Sequence, residues 1–186
     1  MTDVPLVEMV VESVRVHMSS SRHVVILKET DRDRYLPIWI GQWEASAIAM
    51  KLQGLTPERP LTHDLFAAAL EAIGARVDRV VVVEMTEETY HARLILATGE
   101  RQIEVDARPS DALALAVRTG ARIFVTLALM DQAGLGEGSP GLADEASGEG
   151  HPLETVGGGA VDPRLDLFRE FVNSLETDPG GEGRAS

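Results

Sequence analysis

Cysteine is absent from the 186 residues, which excludes disulfides, thiolate nucleophiles and cysteine-ligated zinc or iron–sulfur centres together. Any metal would sit on oxygen or imidazole. Aromatic residues make up only 4% of the chain and cluster away from the basic positions, so the basic, aromatic-studded stripe of a single-strand binder is missing. No apolar run approaches the roughly 20 residues of a membrane helix. Acidic Asp3, Glu8 and Glu12 stand where a signal peptide carries positive charge. The expectation is a soluble, cytoplasmic protein with no membrane partner. The five histidines form no HExxH pattern, and neither a Gly-x-Ser-x-Gly elbow nor a Gly-rich phosphate loop is present, which sets aside zinc-protease, α/β-hydrolase and P-loop chemistry.

Basic residues are outnumbered, and the net charge of −13 argues at first against a polyanion partner. The distribution weakens that objection. Residues 1–130 hold 18 acidic and 14 basic side chains, a net of −4, whereas residues 131–186 hold 12 acidic and 3 basic, a net of −9. The length suits one well-buried domain, placed at residues 1–130. Residues 131–162 are rich in glycine and acid with little periodic apolar content, and are expected to form a disordered linker. Residues 163–176 place Leu165, Phe168, Phe171, Val172 and Leu175 on one stripe of a short helix, and residues 177–186 read as a disordered tail. That stripe needs a cover: the chain's own domain, a sister subunit of a homo-oligomer, or a separate protein partner.

What is present is a repeat. Arg101 to Ala116 lies over Arg34 to Ala49 without a gap at an offset of 67, so that Leu36, Ile38 and Ile40 meet Ile103, Val105 and Ala107. Both copies change from period 2 to helical spacing, which is how a half-buried strand runs into an amphipathic helix. Strands are expected near 9–18, 23–30, 34–40, 76–85, 90–97 and 102–107, with helices over 43–52, 62–73 and 110–118. Residues 123–129 close as a strand or short helix. Strand runs joined by hairpin-length links such as Asp31-Arg32-Asp33 predict an α+β fold with a mixed or antiparallel sheet and an internal duplication of a strand-rich unit plus helix. The outward positions of the paired strands differ. Tyr35, Pro37 and Trp39 make one face greasy, with Trp39 and Trp43 expected to be covered by another element or a subunit interface; Gln102, Glu104 and Asp106 make the other ionic.

Three blocks carry a resemblance: L-P-I-W-I-G-Q-W-E-A (36–45), R-P-L-T-H-D-L (59–65) and D-A-R-P-S-D-A-L-A-L-A-V-R (106–118). In this order they resemble the bifunctional nuclease domain family over roughly residues 6–135. The resemblance implies a nuclease that cleaves the sugar-phosphate backbone of both DNA and RNA. Some relatives carry a further carboxy-terminal interaction motif, where this chain has the acidic linker and short helix.

Phosphodiester hydrolysis needs an activated water and stabilisation of charge on the phosphate oxygens, from a carboxylate-held cation, basic side chains or both. Asp64, Asp106 and Asp111 are the candidate catalytic carboxylates and oxygen ligands for Mg²⁺ or Mn²⁺. His63 is the candidate general base or ligand, and Arg59, Arg108 and Arg118 are candidate phosphate clamps. No spacing forces a metal site. Each candidate also has a structural reading. Thr62 and Ser110 follow Arg-Pro and are expected as N-caps, with Asp64 and Asp111 in dipole-favourable first turns. Glu44 with Lys51, and Asp111 with Arg118, lie seven apart as acid and base on one helical face. Gly41 and Gly54 suit turns. The alternative function is a non-catalytic oligomeric scaffold or a small-anion-binding regulatory protein.

Overall fold

The computed structural model describes residues 4–17 and 22–136. Strands β1 (Leu6–His17), β2 (Arg22–Glu29) and β3 (Arg34–Ile40) pair antiparallel in sequence, and α1 (Gln42–Leu52) and α2 (Thr62–Ala72) follow. The meander then recurs as β4 (Ala75–Thr86), β5 (Thr89–Thr98) and β6 (Arg101–Ala107), leading into α3 (Pro109–Thr119). β7 (Arg122–Thr126), α4 (Leu127–Ala133) and the two-residue β8 (Leu135–Gly136) complete the described fold.

All eight strands join one sheet in the order β6-β5-β4-β7-β1-β2-β3-β8. β4 and β7 run parallel while the other pairs are antiparallel, so the expected α+β class with a mixed sheet is observed. The repeat is visible in the element bounds. β3 and β6 begin and end 67 positions apart, as do α1 and α3. β7 fills the seam between the two meanders.

Side-chain alternation sorts the faces. Val25 and Leu27 of β2, Leu36 and Ile38 of β3, and Val80 and Val82 of β4 enter the main core with Ile48 of α1. Val24 and Ile26 turn the other way and share the greasy outer face with Tyr35 and Trp39, where the Arg22 guanidinium lies 4.2 Å from the centre of the Trp39 ring and Lys28 Nζ 5.5 Å from that of Tyr35. Trp43 behaves differently and is 79% exposed, so no element of the described chain covers it. α3 is buried on nearly every side through Ala112, Leu113, Ala114, Leu115 and Ala116. Its small residues let α1 and α2 approach closely from either side. Truncating Leu113 at this junction should cost about 2–5 kcal/mol.

Several expectations need correction. β6 is not half-buried: it lies at the sheet edge, and Ile103 and Val105 are 42% and 36% exposed. Nothing among the described residues covers the face that their counterparts Leu36 and Ile38 bury. Thr62 and Ser110 are not N-caps, because Leu61 and Arg108 hold those positions. Residues 123–129 are neither strand nor helix alone. β7 ends at Thr126, whose hydroxyl donates to Val83 O at 2.7 Å and accepts from Leu129 N at 3.3 Å, capping α4. The fold also continues past residue 130, where Asp131 pairs with Arg34 at 3.3 Å and β8 adds to β3. The expected linker, helix and tail at 137–186 lie outside the described residues. No helix among the described residues is long and apolar enough to cross a membrane.

Candidate active site

The three blocks meet because α3 lies between the other two helices. Each block ends a strand or loop at a helix start: Gly41 is the N-cap of α1, Leu61 of α2 and Arg108 of α3. None of these caps supplies a side-chain hydrogen bond, so the free N–H groups and dipoles depend on first-turn acids. Asp64 meets that need on α2 by accepting from Leu61 N at 3.0 Å. On α1, glycine at position 41 leaves room for Glu44 to fold back, since a Cβ there would meet its carboxylate.

These acids reach across helices rather than along them. Arg118, whose side chain is only 5% exposed, donates from Nε to Asp64 Oδ1 at 2.7 Å and from Nη1 to Ala114 O at 3.0 Å. Asp111 is engaged on both oxygens: His63 Nε2 lies 3.1 Å from Oδ1, and Arg108 Nε donates to Oδ2 at 2.7 Å. Arg108 Nη2 also reaches Glu44 Oε1 at 3.0 Å. Neither seven-residue pair expected from periodicity is among these contacts.

Electrostatics favours ionised carboxylates here. Burial opposes the charge on Asp64 most strongly, yet the Arg118 hydrogen bond, the Leu61 N–H and the charges of Arg118 and Lys51 together hold its carboxyl below the ordinary value. Asp111 is likewise desolvated, and Arg108 and His63 outweigh that effect and lower it. An ionised Asp111 can only accept, so the His63 proton sits on Nε2 and the basic lone pair on Nδ1. That is a histidine held in one tautomer by a carboxylate.

The sequence candidates divide. His63, Asp64, Asp111, Arg108 and Arg118 come together, with Glu44 as an addition that periodicity had assigned to helix stabilisation. Arg59 is exposed at the approach to α2, with no ion pair among the described residues. Asp106 stands apart. It is 71% exposed on β6 and pairs across the ladder with Arg93 Nη1 at 3.2 Å, beside Glu104 at 3.4 Å. Among the described residues no three His, Asp or Glu side chains converge as a metal site. The clustered carboxylates are engaged by guanidinium groups, an arrangement that does not fit a resident Mg²⁺ or Mn²⁺ ion.

A cleft of about 800 Å³ opens next to this cluster, lined by the end of β3, the starts of β2 and α1, the β4–β5 turn and the start of α3. Arg108 belongs to both cleft and cluster. Sequence reasoning missed the cleft residues Arg22, His23 and Tyr90. One signal was available: His23 occupies a core-facing position of the β2 alternation, where a polar residue needs a reason.

The chain matches the Bifunctional nuclease domain family over residues 25–137. It belongs to that family. It is also 40% identical over 171 residues to an uncharacterised protein of Mycobacterium tuberculosis, a match that covers 92% of this chain and 96% of the relative. Bifunctional nuclease 1 of Oryza sativa subsp. indica is 30% identical over 109 residues, covering 56% of this chain and 33% of the rice protein.

Proposed function

We propose that the protein is a nuclease that hydrolyses phosphodiester bonds of DNA and RNA with low sequence specificity. The observation that carries this reading is the His63–Asp111–Arg108 chain of contacts, which joins two family blocks at one point. His63 Nδ1 takes a proton from water as the water oxygen bonds to phosphorus and the P–O ester bond breaks. The departing oxygen takes its proton from solvent. Asp111 stabilises the imidazolium that forms, and Arg108 and Arg59 offset charge on the phosphate oxygens. Asp64 and Arg118 hold α2 against α3 so that His63 stays in place.

The test is hydrolysis of single-stranded DNA and RNA by the purified protein in Mg²⁺, Mn²⁺ or EDTA, beside His63→Gln and Asp111→Asn variants that keep native melting. Activity that survives both substitutions overturns the site. Activity that separates from the protein during gel filtration overturns the enzyme, and would favour the scaffold or anion-binding reading. That second reading is supported by the same ion pairs, which satisfy the helix starts without any substrate.

Self-association forms part of the proposal. Support comes from the exposed Ile103 and Val105 on an edge strand, and from Leu65 and Ile73 at 64% and 75% exposure. Light scattering should show a homo-oligomer that Ile103→Glu weakens. A monomeric parent protein at micromolar concentration removes this part.

A further inference from the structure

The cleft beside the cluster holds features of which only Arg108 also serves the proposed hydrolysis. Arg22 and Arg108 supply two cations on its wall, and the starts of α1 and α3, at Gly41 and Ser110, reach its floor. Both helices have 11 residues, but their first turns already carry Glu44 and Asp111, so the positive charge for an anion here comes from Arg22 and Arg108. His23 adds a polar side chain to the cleft. It lines the cleft at 9% exposure, and no hydrogen bond to its ring is found among the described residues. Its imidazole can donate one hydrogen bond and accept another, which gives a ligand in the cleft a polar partner.

The remaining wall is aromatic. Trp39 and Tyr90 line it, and the Arg22 guanidinium lies 4.2 Å from the centre of the Trp39 ring, so the fold brings together basic and aromatic side chains that the sequence places apart. Guanidinium planes and indole faces stack with nucleobases. Glu88 stands at the β4–β5 turn and offers an acceptor to sugar hydroxyls or base amino groups. The volume falls within the range of small-ligand sites, about 300–1,000 Å³.

We propose that this cleft binds one nucleotide of a single-stranded nucleic acid, with phosphate on Arg22 and Arg108, base against Trp39 and Tyr90, and His23 hydrogen-bonded to the base edge. The inference deepens the nuclease reading and rests on it for the identity of the strand. Because Arg108 also touches Asp111, a nucleotide seated here delivers its neighbouring phosphodiester toward His63.

Calorimetric titration of the full chain with adenosine 5′-monophosphate, ribose 5-phosphate and inorganic phosphate tests it. The nucleotide should bind about tenfold tighter than ribose 5-phosphate, and Arg22→Ala and Trp39→Leu should each weaken it by about tenfold. Arg22 is exposed, so its variant keeps the test sound if the Trp39 variant fails to fold. Equal affinity for inorganic phosphate, no binding at millimolar nucleotide, or full binding by Arg22→Ala overturns the proposal. Nucleotide binding without hydrolysis under any metal condition supports the cleft and removes the nuclease reading. Hydrolysis unaffected by Arg22→Ala does the reverse.

Discussion

His63 Nε2 lies 3.1 Å from Asp111 Oδ1, although 48 positions separate the two residues in the chain. This contact fixes the imidazole tautomer and leaves Nδ1 as the free base. His63→Gln should therefore lower kcat about 10²–10⁴-fold with little change in melting temperature. Asp106→Asn, on the separate β5–β6 ladder, should change the rate by less than about twofold, as expected of an exposed pair. Steady-state assays on both variants decide between the cluster and the ionic outer face of β6 as the catalytic surface.

The Asp64–Arg118 bridge predicts an acid-sensitive fold. The folded Asp64 carboxyl titrates below its ordinary value, so its stabilising contribution is complete above an unfolded value of about 3.9 and is lost as pH falls through the folded one. Asp64→Asn should lower the unfolding free energy by about 1–3 kcal/mol at pH 7. Urea unfolding of parent and variant should converge at strongly acidic pH, where both side chains are neutral.

Residues 137–186 carry 11 acidic and 3 basic side chains, a net of −8 of the total −13. A chain ending at Gly136 keeps β8 and the Asp131–Arg34 pair while shedding that charge. It should bind single-stranded DNA more tightly at low salt, and the gain should fade toward 1 M salt as the screening length shrinks to about 3 Å. Fluorescence anisotropy across a salt series reads both limbs, and equal affinity of the two chains at low salt would sink the prediction.

The two-residue turn between β4 and β5 places Glu87 and Glu88 at φ of 49° and 62°. These left-handed conformations suit asparagine and glycine, and the paired carboxylates also repel. Replacing them together by Asn-Gly should raise stability by about 1 kcal/mol, visible as a higher Tm.

Much of the fold was legible because six of the strands and three helices follow their periods over seven or more residues. β8 was not, since two residues carry no period. β6 shows a different limit: alternation says which face of Ile103 and Val105 is apolar, not whether anything covers it. The helix starts show a third. The same Arg-Pro pair precedes α2 and α3, yet Pro109 sits at the first helical position while Pro60 lies before the cap, so Thr62 and Ser110 both miss the N-cap. The cluster was legible in its membership, because the blocks contain the right residue types, but not in its pairing. Periodicity joined Asp111 to Arg118 along one helix, whereas the packing of α2 on α3 gives Arg118 to Asp64 and leaves Asp111 for His63 and Arg108.

The seam strand has a consequence for synthesis on the ribosome. β7 pairs with Leu6–Met9 of β1 on one side and with Arg79–Val82 of β4 on the other, and Leu127 N donates to Pro5 O. A growing chain cannot complete either meander's inner edge until Thr126 has cleared the exit tunnel. Until then β1 and β4 each present an unpaired strand edge, so premature termination before Arg122 should yield aggregating fragments rather than a stable half.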